Sequence, residues 1–232
     1  MKKLIAIFGV LAFTAGMAFA QNNDASIDQT GDNHEAVIEQ IGLSNKAYVV
    51  QTQNNDNFHA EADIMQHGDF NFVNLNQSSH WGVNTEANIE QIGNNNRVSG
   101  DLDDDSEFLL QNNAGGLLDV KMVGNNNSLY SLVGEAQKNR NEFILTIEGD
   151  DNTVGMHQEF GFAYADIDGS NNDLTIWQSA GANWDESKFN VANVDILGDF
   201  NTVDISQQNI SNNAKVDIDG SFNTATITQS AY

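Results

Sequence analysis

The chain has 232 residues, with 9 Lys plus Arg against 33 Asp plus Glu, a formal charge of −24, and neither cysteine nor proline. So acidic a surface repels nucleic acid and anionic lipid, which excludes both as partners. Disulfides cannot staple the fold, and the use of proline to protect sheet edges is missing.

Residues 1–20 read as a secretory signal: Lys2 and Lys3 form the basic start, Leu4 to Met17 is mainly apolar, and Ala18-Phe19-Ala20 is a small-x-small cleavage site. An uncleaved anchor is disfavoured because Thr14 and Gly16 interrupt the run, and no later segment has the length and apolarity of a membrane span. A short lead, 21–24, precedes one continuous array over 25–232, and the expected location is outside the cell.

The array opens with Ala25, Ile27 and Gln29, apolar or amide at every second residue. A leading copy of the repeat follows at Gly31, keeping Ala36 and Gln40 but with His34 where later copies have Asn. Eight units come next, over 36–51, 62–77, 87–102, 118–133, 143–158, 163–178, 192–207 and 214–229. Gly42, Gly68, Gly93, Gly124, Gly149, Gly169, Gly198 and Gly220 are each followed three residues on by Asn45, Asn71, Asn96, Asn127, Asn152, Asn172, Asn201 and Asn223. Nine residues after the glycine stand Gln51, Gln77, Gln158, Gln178, Gln207 and Gln229, with Leu102 and Val133 as exceptions. Two residues before it stand Gln40, Gln66 and Gln91, giving way to Met122, Ile147, Ile167, Ile196 and Ile218.

Alternation with period two predicts strands, apolar side inward. Glycine and asparagine between them predict a tight turn, because both accept conformations other residues avoid. The linkers between units hold 10, 9, 15, 9, 4, 13 and 6 residues, so one edge is uniform and the other carries insertions. A unit of this size cannot bury its own apolar side and must stack. The prediction is an all-β stacked solenoid with two strands per rung, able to continue as amyloid. Its rungs lie about 4.8 Å apart and its sheets about 10 Å apart. Inward glutamines are satisfied only if identical amides stack, since an unpaired buried amide costs about 1 to 3 kcal/mol.

The skeleton Gln-x-Gly-x-x-Asn-x-Ala-x-x-x-Gln behind a signal segment resembles the curlin repeat of bacterial curli subunits, over Ala25 to Gln229. The resemblance implies a secreted subunit of an extracellular amyloid fibre used in biofilm matrix and adhesion. It also implies partners: further copies as a homopolymer, a related nucleating or major subunit, and an outer-membrane export machinery. Family units are close to 22 residues and follow a targeting stretch of about twenty; here only Gly198 to Gly220 has that spacing, and the lead is four residues. Whether the chain is a major or a nucleating subunit stays open.

No catalytic, cofactor or metal residues are assigned. The cluster Asp101, Asp103, Asp104, Asp105 and Glu107 lacks the spacing of a calcium loop and reads as a solvated linker. His34, His59, His67, His80 and His157 lack paired metal spacing. Phe70, Phe200 and Phe222, each preceding a turn Asn, are expected to stack along the uniform edge. An enzyme of the secreted β-helix kind would need an acid and base pair in a cleft, and only Arg97 and Arg140 supply arginine. The alternative function is a monomeric secreted solenoid binding calcium or ice. Finally, Asp166, Asp195 and Asp217 share one outward position in three consecutive units and should form a carboxylate row with at least one raised pKa.

Overall fold

The computed structural model describes residues 22–53, 60–79, 85–112, 116–132, 137–138, 142–180, 185 and 188–230. The signal segment, His59, His80, Val133 and Arg140 lie outside these residues. The described chain is a β-solenoid of two parallel sheets.

The first sheet takes the opening strand of each rung: β2 (Glu35–Ile41), β4 (Glu61–His67), β6 (Asn88–Ile92), β9 (Met122–Val123), β12 (Ile147–Glu148), β14 (Gly161–Asp168), β16 (Asn190–Leu197) and β18 (Asn213–Asp219). The second takes the closing strands: β1 (Asp24–Thr30), β3 (Lys46–Gln53), β5 (Phe72–Ser79), β7 (Arg97–Ser99), β10 (Ser128–Ser131), β13 (Thr153–Glu159), β15 (Asp173–Ser179), β17 (Thr202–Gln208) and β19 (Thr224–Ser230). Two further strands, β8 (Leu109–Asn112) and β11 (Gln137–Lys138), complete the closing strands begun by β7 and β10. All pairings run parallel and in the register of the repeat, so that Ala47 lies on Val73, Val49 on Leu75 and Gln51 on Gln77.

Alternate residues of both sheets meet in one continuous core. Ile64, Leu75, Ile89, Leu129, Ile147, Ile176 and Ile205 are buried in it, among others. Because each side chain is covered by its counterparts in the rungs above and below, the end rungs are the least covered: every residue of β1 is exposed, and β19 alternates exposed with half-buried. A second cluster, Phe160, Ala180 and Phe189 with Phe162 and Ile210 packed on it, pins the linker edge of the later rungs.

The structure corrects the assignment of the repeat in two places. The 31–34 turn does not begin a repeat. β1 pairs with β3, so this turn joins a closing strand to the next opening strand and lies on the linker edge. The residue in the Asn position of that leading level is Asn23, whose Oδ1 accepts the Asn45 amide at 2.9 Å.

The second correction concerns Leu102, which does not occupy the closing-strand Gln slot of its rung. After Ser99 the chain leaves the sheet at Gly100 and returns at Leu109, placing Gln111 on Gln77. In the next rung the strand resumes at Gln137, which pairs in register with Gln111 and Gln158. The acidic stretch is thus an excursion inside a strand, and much of the linker-edge length variation belongs to it.

Several contacts hold the excursion. Gly100 N donates to Glu107 O at 3.0 Å, Asn74 Nδ2 to Asp105 O at 3.1 Å, and Arg97 Nη1 to Asp105 Oδ1 at 2.6 Å. The Arg97 guanidinium also lies 4.6 Å over the Phe72 ring. The middle rungs are irregular in the opening sheet too. Asp119, Val120 and Lys121 hold φ of 49°, 130° and 51°, and pairing there shrinks to β9 and β12, while Leu118, Val120, Phe143 and Leu145 stay buried.

Candidate functional site: the amide columns and the open ends

The recurring polar residues converge in columns along the stack. At the turn edge, Asn45, Asn71, Asn96, Asn127, Asn152, Asn172 and Asn201 are buried, with Asn223 exposed at the end. Each Asn N donates to the Asn Oδ1 of the preceding rung, from Asn71 on Asn45 at 2.9 Å to Asn223 on Asn201 at 2.9 Å. From Asn45 to Asn201 each Nδ2 reaches the glycine carbonyl of the following rung, as Asn45 to Gly68 O at 2.7 Å and Asn201 to Gly220 O at 2.9 Å.

The glycines permit this because their φ, between 115° and 149° from Gly42 to Gly220, is a conformation that L side chains rarely adopt. A further column, missed in the sequence, uses the residue after each glycine. Leu43 N donates to Asp69 Oδ1 at 2.8 Å, Asp69 N to Asn94 Oδ1 at 2.8 Å, Asn125 N to Asp150 Oδ1 at 2.6 Å and Ser170 N to Asp199 Oδ1 at 2.7 Å. Its signal was present, since an Asp, Asn or Ser follows every repeat glycine after Gly42.

Glutamine forms two more columns. In the opening sheet Gln40 donates to Gln66 at 2.8 Å and Gln66 to Gln91 at 2.8 Å, and the column stops at Met122. In the closing sheet Gln29 donates to Gln51 at 2.7 Å, Gln51 to Gln77 and Gln77 to Gln111 each at 2.9 Å, and Gln178 to Gln207 and Gln207 to Gln229 each at 2.8 Å. The same amide nitrogens cross the sandwich. Gln51, Gln77, Gln158, Gln178, Gln207 and Gln229 each donate to the carbonyl sixteen residues earlier, at the entry of their own rung. One amide therefore ties a rung both to itself and to its neighbour.

The outward residues fall where the repeat puts them. Asp166, Asp195 and Asp217 are in register on adjacent strands. Burial, then the neighbouring Asp195, Glu148 and Asp168 charges, push the Asp166 carboxyl up. Lys215 Nζ lies 3.7 Å from Asp217 Oδ2, with both groups exposed.

Phe200 and Phe222 stack at 5.0 Å with rings 2° from parallel. Phe70 does not join them, because Ser44 and Asn95 hold its position in the adjacent rungs. The acidic excursion spends its carboxylates locally: Asp101 Oδ1 accepts Asp103 N, Asp104 Oδ1 accepts Ser106 N and Oγ, and Asp105 pairs with Arg97. Among the described residues no group of three or more His, Cys, Asp or Glu is placed to hold a metal ion, and no helix is long and apolar enough to cross a membrane.

Among the described residues both ends of the stack leave strand edges unpaired. β1 is fastened by Tyr48, whose hydroxyl donates to Asp24 Oδ2 at 2.7 Å. Burial and that hydrogen bond push the Tyr48 pKa up to about 12. At the other end β18 and β19 close the two sheets, and Phe222 is 79% exposed.

No curated protein and no solved structure matches the chain. A family model, the curlin associated repeat, matches residues 20–52, the stretch holding β1, β2 and β3, and over it the chain is similar to that repeat.

Proposed function

We propose that the chain is a structural subunit of an extracellular curli-type amyloid fibre, polymerising by stacking its rungs and serving biofilm matrix and cell adhesion rather than catalysis. The observation that carries this reading is the combination of in-register parallel sheets, stacked Asn and Gln columns and, among the described residues, unpaired strand edges at both ends. The Asn column gains hydrogen bonds with each added rung and runs unbroken to Asn223 in the last one. With no proline in the chain and no lysine in β19, the terminal edge lacks common guards against further pairing.

The test is dilution from denaturant followed by fibre diffraction. Reflections near 4.7 Å along the fibre and about 10 Å across it are expected. A monomer that stays soluble for days at micromolar concentration overturns the reading.

The Asp166, Asp195 and Asp217 row is the expected pH control of this assembly. Within it the Asp166 carboxyl, raised in the folded stack, favours its protonated form there. Stability is therefore gained as pH falls through the raised value, and the gain is complete below the unfolded value of about 3.9. Parent protein should show a shorter assembly lag as pH falls from 8 towards 4. Replacing all three residues by Asn should shorten the lag at neutral pH and flatten the profile. An unchanged lag and unchanged pH dependence mean that the row does not control assembly.

A further inference from the structure

Among the described residues the closing sheet extends one strand further than the opening sheet at its first end, because β1 lies beyond β3 while β2 ends its own sheet. At the other end β18 and β19 finish level. We propose that copies join through the closing sheet alone, β19 of one copy on the overhanging β1 of the next, with Asn223 on Asn23, Ala225 on Ala25, Ile227 on Ile27 and Gln229 on Gln29. The inference rests on the fibre reading and adds to it the joint and its register.

Three rows of hydrogen bonds that run through the solenoid stop at these ends, each with the missing half on the other end. Each closing strand's first N donates to the Asn carbonyl of the next level, from Asp24 N on Asn45 O at 2.8 Å to Thr202 N on Asn223 O at 2.9 Å. Thr224 N is next in that row, and Asn23 O of a second copy is its counterpart. In the Asn column, Asn223 Oδ1 awaits a donor from the next level. Asn23 Nδ2 is buried and has no partner, although the corresponding Nδ2 of Asn96 or Asn223 donates to the Asn Oδ1 below it. In the Gln column every link runs from Nε2 to the Oε1 of the next level, so Gln229 Nε2 faces the Gln29 Oε1 of the next copy.

The side chains agree with this joint. Inward, Ala, Ile and Gln meet their own kind, covering Ile27, which is 44% exposed in the single chain. Outward, Thr224, Thr226, Thr228 and Ser230 meet Asp24, Ser26, Asp28 and Thr30, with no like charges opposed. A flush joint of β18 on β2 reads differently. It puts Asp217 on Glu39, two like charges about 5 Å apart, and Ile218 on Gln40, which ends the amide column against an aliphatic chain. The two joints exclude each other, since β1 occupies the level that a flush joint needs.

The chain has no cysteine, so introduced pairs report the joint directly. Parallel neighbours about 4.8 Å apart suit a disulfide, which spans Cα separations of about 4.4 to 6.8 Å. The two ends of one copy, roughly 40 Å apart at the strand spacing, cannot be bridged within a monomer. Fibres of the Ser26→Cys/Thr226→Cys variant, oxidised and then denatured, should run as a ladder of covalent multimers. Fibres of Val37→Cys/Lys215→Cys should run as monomer. The reverse pattern overturns the register while leaving the fibre reading in place, as do fibres in which neither pair crosslinks. A parent chain that forms no fibre overturns the underlying reading itself.

Discussion

Replacing Gly124 by Ala is expected to disrupt the stack, with a loss of about 4 kcal/mol or more, the range reserved for core clashes and backbone strain. The added Cβ would lie 1.9 Å from Gly149 O and 2.7 Å from its carbonyl carbon, at a φ of +124°. Neither half of this conflict relaxes cheaply. The positive φ strains any L residue by about 1 to 3 kcal/mol. The facing carbonyl is fixed because it accepts Asn127 Nδ2 at 2.7 Å, while Gly149 N donates to Val123 O at 2.9 Å. Moving it therefore opens the turn column. The check is denaturant unfolding followed by circular dichroism. Gly220→Ala is the comparison, because at the last rung the nearest atom to the added Cβ is Asn223 Nδ2 at 3.5 Å, so that only the backbone strain remains. Equal midpoints for parent and Gly124→Ala would mean that the turns do not stack at strand spacing.

Asn127→Ala should lose about 2 to 6 kcal/mol, because two buried groups are left without partners at about 1 to 3 kcal/mol each. Asn127 Nδ2 donates to Asn96 Oδ1 at 3.1 Å and to Gly149 O at 2.7 Å, and its Oδ1 accepts Asn152 N at 3.1 Å and Asn152 Nδ2 at 3.0 Å. After the substitution Asn96 Oδ1 keeps the Asn127 amide, and Asn152 Nδ2 keeps Gly169 O at 2.8 Å. The groups left bare are Gly149 O and Asn152 N. Asn223→Ala at the open end removes one side-chain bond, to Asn201 Oδ1 at 3.0 Å, in a solvated place, and should lose no more than about 1 kcal/mol. The contrast between the two variants measures how much of the stability lies in the column rather than in a single turn. Similar losses at both positions would sink the claim that the column acts as a unit.

The repeat was legible because one dimension of the fold is written directly into the chain. Side-chain alternation marks the strands, and the fixed interval from glycine to asparagine marks the uniform turn. The Gln40, Gln66, Gln91 column and its end at Met122 could be read the same way, since opening strands and turns keep a constant spacing. The closing strands of the third and fourth rungs could not. A count of residues does not say whether extra chain lies between two strands or inside one, so Leu102 took the slot that belongs to Gln111. Similarly, Gly31 has the spacing of a repeat glycine, and only the pairing of β1 with β3 puts its turn on the opposite edge.

By itself the sequence determined which residues face inward, where the uniform turns lie and that rungs must stack, because these follow from periodicity and from the conformations open to glycine and asparagine. The tertiary structure alone decided which strand the acidic excursion interrupts, which carboxylates are spent on local hydrogen bonds, and that among the described residues the two sheets end out of step at one end. Those outcomes depend on pairing partners far apart in the chain. Equal spacings are compatible with several pairings, and only the assembled hydrogen-bond columns, with Asn23 left one partner short, select among them.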